Sequence, residues 1–183
     1  MKLAIVGATG VVGREILEVI SERRVPFTEL FLVASERSCG KSILFEGKPR
    51  EVISLSELLN KSVDLALFSA GQEVAKQWPP KLAAMGCRVI DNSSYWRMCS
   101  KHKLIVPEIN GNQLLQEDFI ISNPNCSTIQ LAMVLAPLHE RYVAKRAVVS
   151  TYQAVSGSGK KAIKQLKNEQ NNTRGETFYL HQI

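Results

Sequence analysis

An α/β fold with a doubly wound, mostly parallel sheet is predicted for this 183-residue chain by three observations. Nearly continuous apolar runs mark strands covered on both faces. Polar or glycine-rich loops follow those runs. Stripes with helical spacing follow the loops, and the unit then repeats.

Leu3, Ala4, Ile5 and Val6 make the strand Lys2 to Val6. Gly7-Ala8-Thr9-Gly10-Val11-Val12-Gly13 follows, then a helical stripe of Ile16, Leu17, Val19 and Ile20 that ends near Arg23-Arg24, before Pro26. Leu30 to Ala34 completes a βαβ unit. Ile43 to Val52 alternates around Gly47 and Pro49 as short strands, and Ser56 to Leu59 is a helical turn. Val63 to Phe68 is a strand ending in Ser69-Ala70-Gly71. Glu73 to Met85 is a helix broken at Pro79-Pro80 and capped by Gly86. Arg88 to Ile90 delivers Asp91-Asn92-Ser93-Ser94. A strand is expected over Lys103 to Val106 and a short helix over Pro107 to Asn110.

The apolar run Phe119 to Ile121 leads into Ser122-Asn123-Pro124-Asn125-Cys126-Ser127-Thr128, and Ile129, Leu131, Ala132, Val134 and Leu135 continue it as a helix to about Arg141. Beyond it, Arg146 to Gln153 alternates as a strand. Gly157-Ser158-Gly159 precede a basic helix, and Asn168 to Thr173 is a polar loop. Two domains are expected: residues 1–127 bind a nucleotide, and residues 128–183 begin a second, α+β domain. The chain stops at His181-Gln182-Ile183 after an apolar-aromatic run, as a cut inside that second domain would.

Composition narrows the function. The chain is 45% hydrophobic and 22% charged, which suits a globular protein, and no apolar run reaches membrane-spanning length. No membrane association is expected. Gly7, Thr9 and Gly10 interrupt the first apolar run and no small-residue cleavage site follows, so no signal peptide is expected. The sequons at Asn92, Asn125 and Asn171 are therefore chance matches. Cys39, Cys87, Cys99 and Cys126 show no CxxC pair, which suits reduced thiols and a cytoplasmic protein. His102, His139 and His181 are scattered, and no metal site is expected.

The net charge of +6 is uneven. Residues 1–140 carry 15 Lys and Arg against 15 Asp and Glu, whereas residues 141–183 carry eight against two. Lys160, Lys161, Lys164 and Lys167 lie in this basic part. A nucleic-acid partner is not expected, because no recognition motif accompanies the charge. A solvated face, or contact with anionic ligands or a partner subunit, suits it better.

Two constellations carry chemistry. Gly7, Gly10 and Gly13 occupy the first strand-to-helix turn, where glycine permits a tight turn, approach of backbone to a diphosphate and close helix packing. The pattern is GxxGxxG, with Ala8 where the dinucleotide fingerprint has its middle glycine. A βαβ context makes it a dinucleotide loop; the bland reading is a tight turn in another α/β domain. After the second strand, Glu36 suits NAD by holding ribose hydroxyls, while Ser35 and Arg37 suit the 2′-phosphate of NADP, which is favoured. The second constellation is Cys126 at a strand-to-helix handover, where unpaired N–H groups and the helix dipole favour a nucleophilic thiolate. A free cysteine is otherwise a small buried hydrophobe. Arg97, amid Tyr95, Trp96 and Met98, suits an anion or snorkels over an apolar surface. Gln153, before Val155-Ser156-Gly157, orients a polar substrate or satisfies backbone.

Taken in order, these motifs resemble the N-terminal half of the aspartate-semialdehyde dehydrogenase family. They are the Gly7–Gly13 loop, Ser35-Glu36-Arg37-Ser38, Asp91-Asn92-Ser93-Ser94, Val106-Pro107-Glu108-Ile109-Asn110, the Cys126 turn, and Thr151-Tyr152-Gln153-Ala154-Val155-Ser156-Gly157. The cysteine motif is the most specific of them. The resemblance implies a Rossmann-like domain followed by a catalytic and dimerisation domain. It implies Cys126 as nucleophile, Asn125 and Gln153 as its catalytic partners, and Arg97 and Asn92 at the substrate or phosphate. The implied NADP contacts are Gly7, Thr9, Gly10, Val11, Val12, Gly13, Ser35, Arg37, Ser38, Ser156 and Gly157. Aspartyl phosphate, aspartate semialdehyde and phosphate would be the small-molecule partners, on the route to lysine, threonine and methionine. The protein would be a homodimer or a tetramer. The family's acid–base histidine and carboxylate-binding arginine fall beyond residue 183. His139 lies within the Cys126 helix and His181 lacks the histidine's context, so the chain alone is expected to lack efficient turnover. N-acetyl-glutamyl-phosphate reductase is the nearest rival, with Asn-Pro-Gly-Cys where this chain has Asn123-Pro124-Asn125-Cys126. Glyceraldehyde-3-phosphate dehydrogenase is more distant, and a non-catalytic nucleotide-binding module is the alternative of another class.

Overall fold

The structure, a computed structural model, describes residues 1–173 and Gly175. In chain order its elements are β1 (Lys2–Val6), α1 (Val11–Glu22), β2 (Glu29–Val33), β3 (Ser42–Phe45), β4 (Lys48–Ile53), α2 (Leu55–Leu58), β5 (Leu65–Phe68), α3 (Gln72–Gln77), α4 (Pro79–Ala84), β6 (Arg88–Asp91), β7 (Lys103–Leu104), α5 (Pro107–Asn110), β8 (Ile120–Ser122), α6 (Cys126–Tyr142) and α7 (Lys160–Gln170). The strands form one sheet in the order β3-β4-β2-β1-β5-β6-β8-β7. Every pairing is parallel except the β3–β4 hairpin. This is the doubly wound, Rossmann-like sheet the sequence predicts.

The apolar runs explain the two layers. Side chains alternate across a strand, so Leu3, Ile5 and Leu32 pack with Leu17 and Ile20 of α1 on one face. Ala4, Val6, Phe68 and Val89 meet Leu58 and Leu82 on the other. From β1 the chain steps to β2 on one side, then returns to β5 on the other. That reversal opens a crevice beyond the carboxyl ends of the strands, where open α/β sheets bind ligands.

The helix over residues 73–85 divides as expected, because Pro79 starts α4 where its missing N–H costs nothing. Gly86 (φ +84°) closes α4 with its N–H on the Ala83 carbonyl. Among the described residues, no helix is long and apolar enough to cross a membrane.

Three expectations fail locally. The strand over Lys103 to Val106 stops at Leu104, since the Val106 N–H turns to the Asn110 side chain as Pro107 begins α5. The polar loop over Asn168 to Thr173 begins later, because α7 persists to Gln170. No strand forms over Arg146 to Gln153. That stretch is irregular and exposed, with no ladder partner among the described residues, and an alternating pattern becomes a strand only against a neighbour.

Candidate active site

The glycine loop is fixed to the sheet first. Gly7 and Ala8 donate to the Val33 carbonyl at 2.8 and 3.1 Å, and Gly10 donates to Gly7 at 2.8 Å. Gly7 has φ +93°, and a Cβ there would strike the Ser69 carbonyl. A Cβ on Gly13 would strike the Gly7 carbonyl and Ala8, so α1 approaches β1 only because position 13 is glycine. Ala8 breaks the usual fingerprint harmlessly: it is fully buried in the α1-side core.

Beside this loop lies a cavity of ≈ 350 Å³. Gly10, Val11 and Val12 line one side; Ser69, Gly71, Asn92 and Ser93, at the ends of β5 and β6, line another; Ser156, Gly157, Ser158 and Gly159 complete it. The donor set suits a dinucleotide: the glycine cradle is one that a Cβ would fill, and the unpaired N–H groups at the start of α1 favour a diphosphate. Ser35, Arg37 and Ser38 lie farther along the same edge, in a 3₁₀ turn directly after β2. Ser38 donates to the Ser35 carbonyl at 2.8 Å, and Arg37 is exposed with no partner among the described residues.

A second set of contacts joins the loops after β6 and β8. Asn123 donates its N–H to the Asp91 carbonyl at 2.8 Å and its side-chain amide to Asn92 Oδ1 at 2.5 Å. Arg97 gives Nε to the Asn123 carbonyl at 3.0 Å and Nη2 to the Asn92 carbonyl at 2.8 Å. Arg97 therefore does not snorkel. Trp96, whose Nε1 donates to the Ala75 carbonyl at 2.9 Å, anchors the apolar part of that segment, and the guanidinium turns inward with donors to spare. Under the network sits Asp91, fully buried, accepting from Ser93 N–H at 3.2 Å and Ser93 Oγ at 2.5 Å. Burial pushes its carboxyl above the ordinary range, against the pull of Ser93 and of the Arg97 charge.

Cys126 is the first residue of α6 and is exposed. Asn125 is its N-cap, accepting from Ser127 N–H at 3.0 Å. The Asn125 amide donates to Gln153 Oε1 at 3.3 Å. The Gln153 amide in turn lies against Gly157, where a Cβ would collide with it. Gln153 therefore touches both the cysteine turn and the cavity wall, although no strand carries it.

Cys126, Asn125, Gln153, Arg97 and Asn92 thus belong to one connected group, with Ser156 and Gly157 on its cavity side. Gly7, Thr9 and Gly13 support the cavity from behind Gly10, Val11 and Val12. Sequence reasoning gave no role to Ser69, Gly71, Ser93, Ser158, Gly159 and Asn123. Position at the carboxyl ends of strands was the available signal for Ser69, Gly71, Ser93 and Asn123. His139 is exposed in the last turn of α6, where its carbonyl accepts from Val143. His181 lies outside the described residues.

Comparison with known proteins identifies the family. Residues 2–117 match the model "Semialdehyde dehydrogenase, NAD binding domain", and residues 135–181 match "Semialdehyde dehydrogenase, dimerisation domain". The chain is 53% identical over 173 residues to the aspartate-semialdehyde dehydrogenase of Aquifex aeolicus, covering 92% of this chain and 50% of that protein. It is 46% identical over 168 residues to that of Legionella pneumophila, covering 91% and 48%. It superposes on the crystal structure of aspartate semialdehyde dehydrogenase II from Vibrio cholerae with a TM-score of 0.89 at 43% identity, covering 100% of this chain and 56% of that one. The chain spans about half the length of the curated relatives it matches. On its glycine cradle, its sheet order and a family-model match over 116 of its residues, the chain belongs to the semialdehyde dehydrogenase family.

Proposed function

We propose that this chain supplies the nucleotide-binding and nucleophile half of an NADP-dependent aspartate-semialdehyde dehydrogenase. The reaction interconverts L-4-aspartyl phosphate with L-aspartate 4-semialdehyde and phosphate. The observation that carries the proposal is Cys126 at the start of α6, with its N-cap Asn125 bonded to Gln153 and Gln153 seated on the wall of the nucleotide cavity. The relatives' names point to the aspartyl substrate, and a second Vibrio cholerae structure of 43% identity is described as a complex with ASA. Asn125, where the N-acetyl-glutamyl-phosphate reductases resemble glycine, points the same way.

In the forward direction the Cys126 thiolate attacks the acyl carbon, the carbon–oxygen bond to phosphate breaks, and phosphate leaves with that electron pair. A thioester to Cys126 remains. N–H groups at the start of α6 would stabilise the negative charge that develops on the oxygen of the reacting carbonyl. Bound NADPH supplies the hydride. When the tetrahedral carbon collapses, Cys126 leaves as thiolate and the aldehyde is freed. Asn125 and Gln153 orient the reacting carbonyl, while the unspent donors of Arg97 hold the phosphate, with Asn92 beside it. Ser35, Arg37 and Ser38 receive the 2′-phosphate, so NADP is preferred to NAD. Residues 1–127 form the nucleotide domain and residues 128–183 open the dimerisation domain of a cytoplasmic homodimer or tetramer.

The test is NADP reduction by this chain completed to its relatives' length, with aspartate semialdehyde or N-acetylglutamate semialdehyde, with and without phosphate. Phosphate-dependent turnover of aspartate semialdehyde supports the proposal. Turnover of the acetylated aldehyde alone transfers the assignment, and nucleotide binding without turnover of either favours a binding module.

A further inference from the structure

We propose that Lys160 is a nucleotide-binding residue, whose ammonium meets the dinucleotide's diphosphate and ties the 155–160 segment to the glycine loop. The inference rests on the nucleotide-cavity reading above and extends it to a side chain that neither the fold nor the motifs assign.

Lys160 Nζ donates to the Thr9 carbonyl at 2.8 Å, across 151 residues of chain. Thr9 belongs to the Gly7–Gly13 loop, and Gly10, the next residue, lines the cavity. On its other side Lys160 directly follows Ser156–Gly159, which form another wall of the same cavity. Gly159 (φ +85°) makes the turn that places Lys160 at the start of α7. The ammonium therefore bridges two walls of one cleft.

Charge gives the bridge a purpose. No residue lining the cavity carries a charged side chain. A diphosphate brings two negative charges, and a helix N-terminus offsets roughly half of one. Lys160 is exposed, and the ion pairs among the described residues, Lys2–Glu29 and Lys103–Asp118, do not include it. Its partner there is a neutral carbonyl, which occupies one of three ammonium donors and neutralises none of the charge. Lys161, Lys164 and Lys167 have no comparable bond to the glycine loop among the described residues. The basic balance after residue 140 thus contributes Lys160 to a cavity whose own lining is uncharged.

A diphosphate contact and a 2′-phosphate contact predict different results, because NAD and NADP share only the former. Binding of NAD and of NADP to the 183-residue chain is measured by titration calorimetry for the unaltered protein, Lys160→Met and Lys160→Arg, at low and high salt. Lys160→Met is expected to weaken both dinucleotides equally, by about tenfold. Lys160→Arg keeps most of the affinity, and high salt narrows the gap between Met and the unaltered protein. In the unaltered protein, NADP is expected to slow acetylation of Lys160, read by peptide mass spectrometry, and to leave Lys164 and Lys167 unprotected. Unchanged binding by Lys160→Met, a loss confined to NADP, or an unprotected Lys160 overturns the inference. If the unaltered protein binds neither dinucleotide, the cavity reading itself falls.

Discussion

The region up to Ser122 and the region after Cys126 solve the burial problem in opposite ways. In the first, strands alternate between two closed layers, and Phe68, Leu3 and Ile5 are shielded completely by neighbours from the same region. In the second, α6 runs for 17 residues without burying one of them. Val134 and Val148 stand 61% and 81% exposed. Each region nonetheless carries part of the site. The nucleotide cradle belongs to the region that closes its own core, and the cysteine turn sits at the border. The two regions therefore differ in what holds them: the glycine loop is fixed by its βαβ unit and by β5, whereas Ser156–Gly159 of the cavity wall, and Gln153 beside them, come from a segment with no ladder partner among the described residues.

The hardest test of this division is Cys126→Ala in the chain completed to its relatives' length. Turnover is expected to fall by at least about 10³-fold while NADP affinity stays within about twofold of the unaltered value. A matching loss of NADP binding would show that the two regions are not separable. Stability gives the next contrast. Phe68→Ala should cost about 3–5 kcal/mol in denaturant unfolding of the 183-residue chain, since the ring fills a dry core. Leu138→Ala on α6, 46% exposed, should stay within about 0.5 kcal/mol. Equal costs would mean that α6 packs in solution against a surface outside the described contacts.

Within the self-closing region, Arg37→Ala is expected to weaken NADP about tenfold in calorimetry and to leave NAD unchanged, the signature of a 2′-phosphate contact. Equal weakening of both would move Arg37 to a part that the two dinucleotides share, and no change in either would leave it a solvated edge residue. The smallest effect is expected at Asp91, at the end of β6. Burial raises the Asp91 carboxyl above its unfolded value, so the folded state holds a proton more tightly. Stability is then full below the ordinary carboxylate range and declines as pH rises through the raised folded value. Asp91→Asn should flatten that decline in unfolding midpoints measured across pH, and an unchanged slope would leave Asp91 no part in it.

Legibility in the sequence followed the same border. The β1–α1–β2 unit could be read because continuous apolar runs, three glycines and a 3.6-residue stripe are local signals that agree. Cys126 could be placed at a helix start for the same reason. Arg97 was singled out, but its carbonyl partners Asn92 and Asn123 lie five and 26 residues away, on neighbouring strand ends. The stretch from Arg146 to Gln153 misled because its alternation is real while a ladder partner is absent among the described residues. Lys160 was counted as one of four helix lysines, and nothing in its spacing announces Thr9.

The sequence by itself determined the strand and helix order up to α6, the need for glycine at position 13, and the cysteine at a helix start, since each follows from backbone sterics and side-chain period over a few neighbouring residues. Only the tertiary structure decided which strand ends face one another, and what Arg97, Gln153 and Lys160 touch. Sheet order sets the Arg97–Asn123 contact, 26 positions apart, while Gln153 and Lys160 reach partners 28 and 151 positions away from a segment outside the sheet, and no local preference encodes either kind of contact.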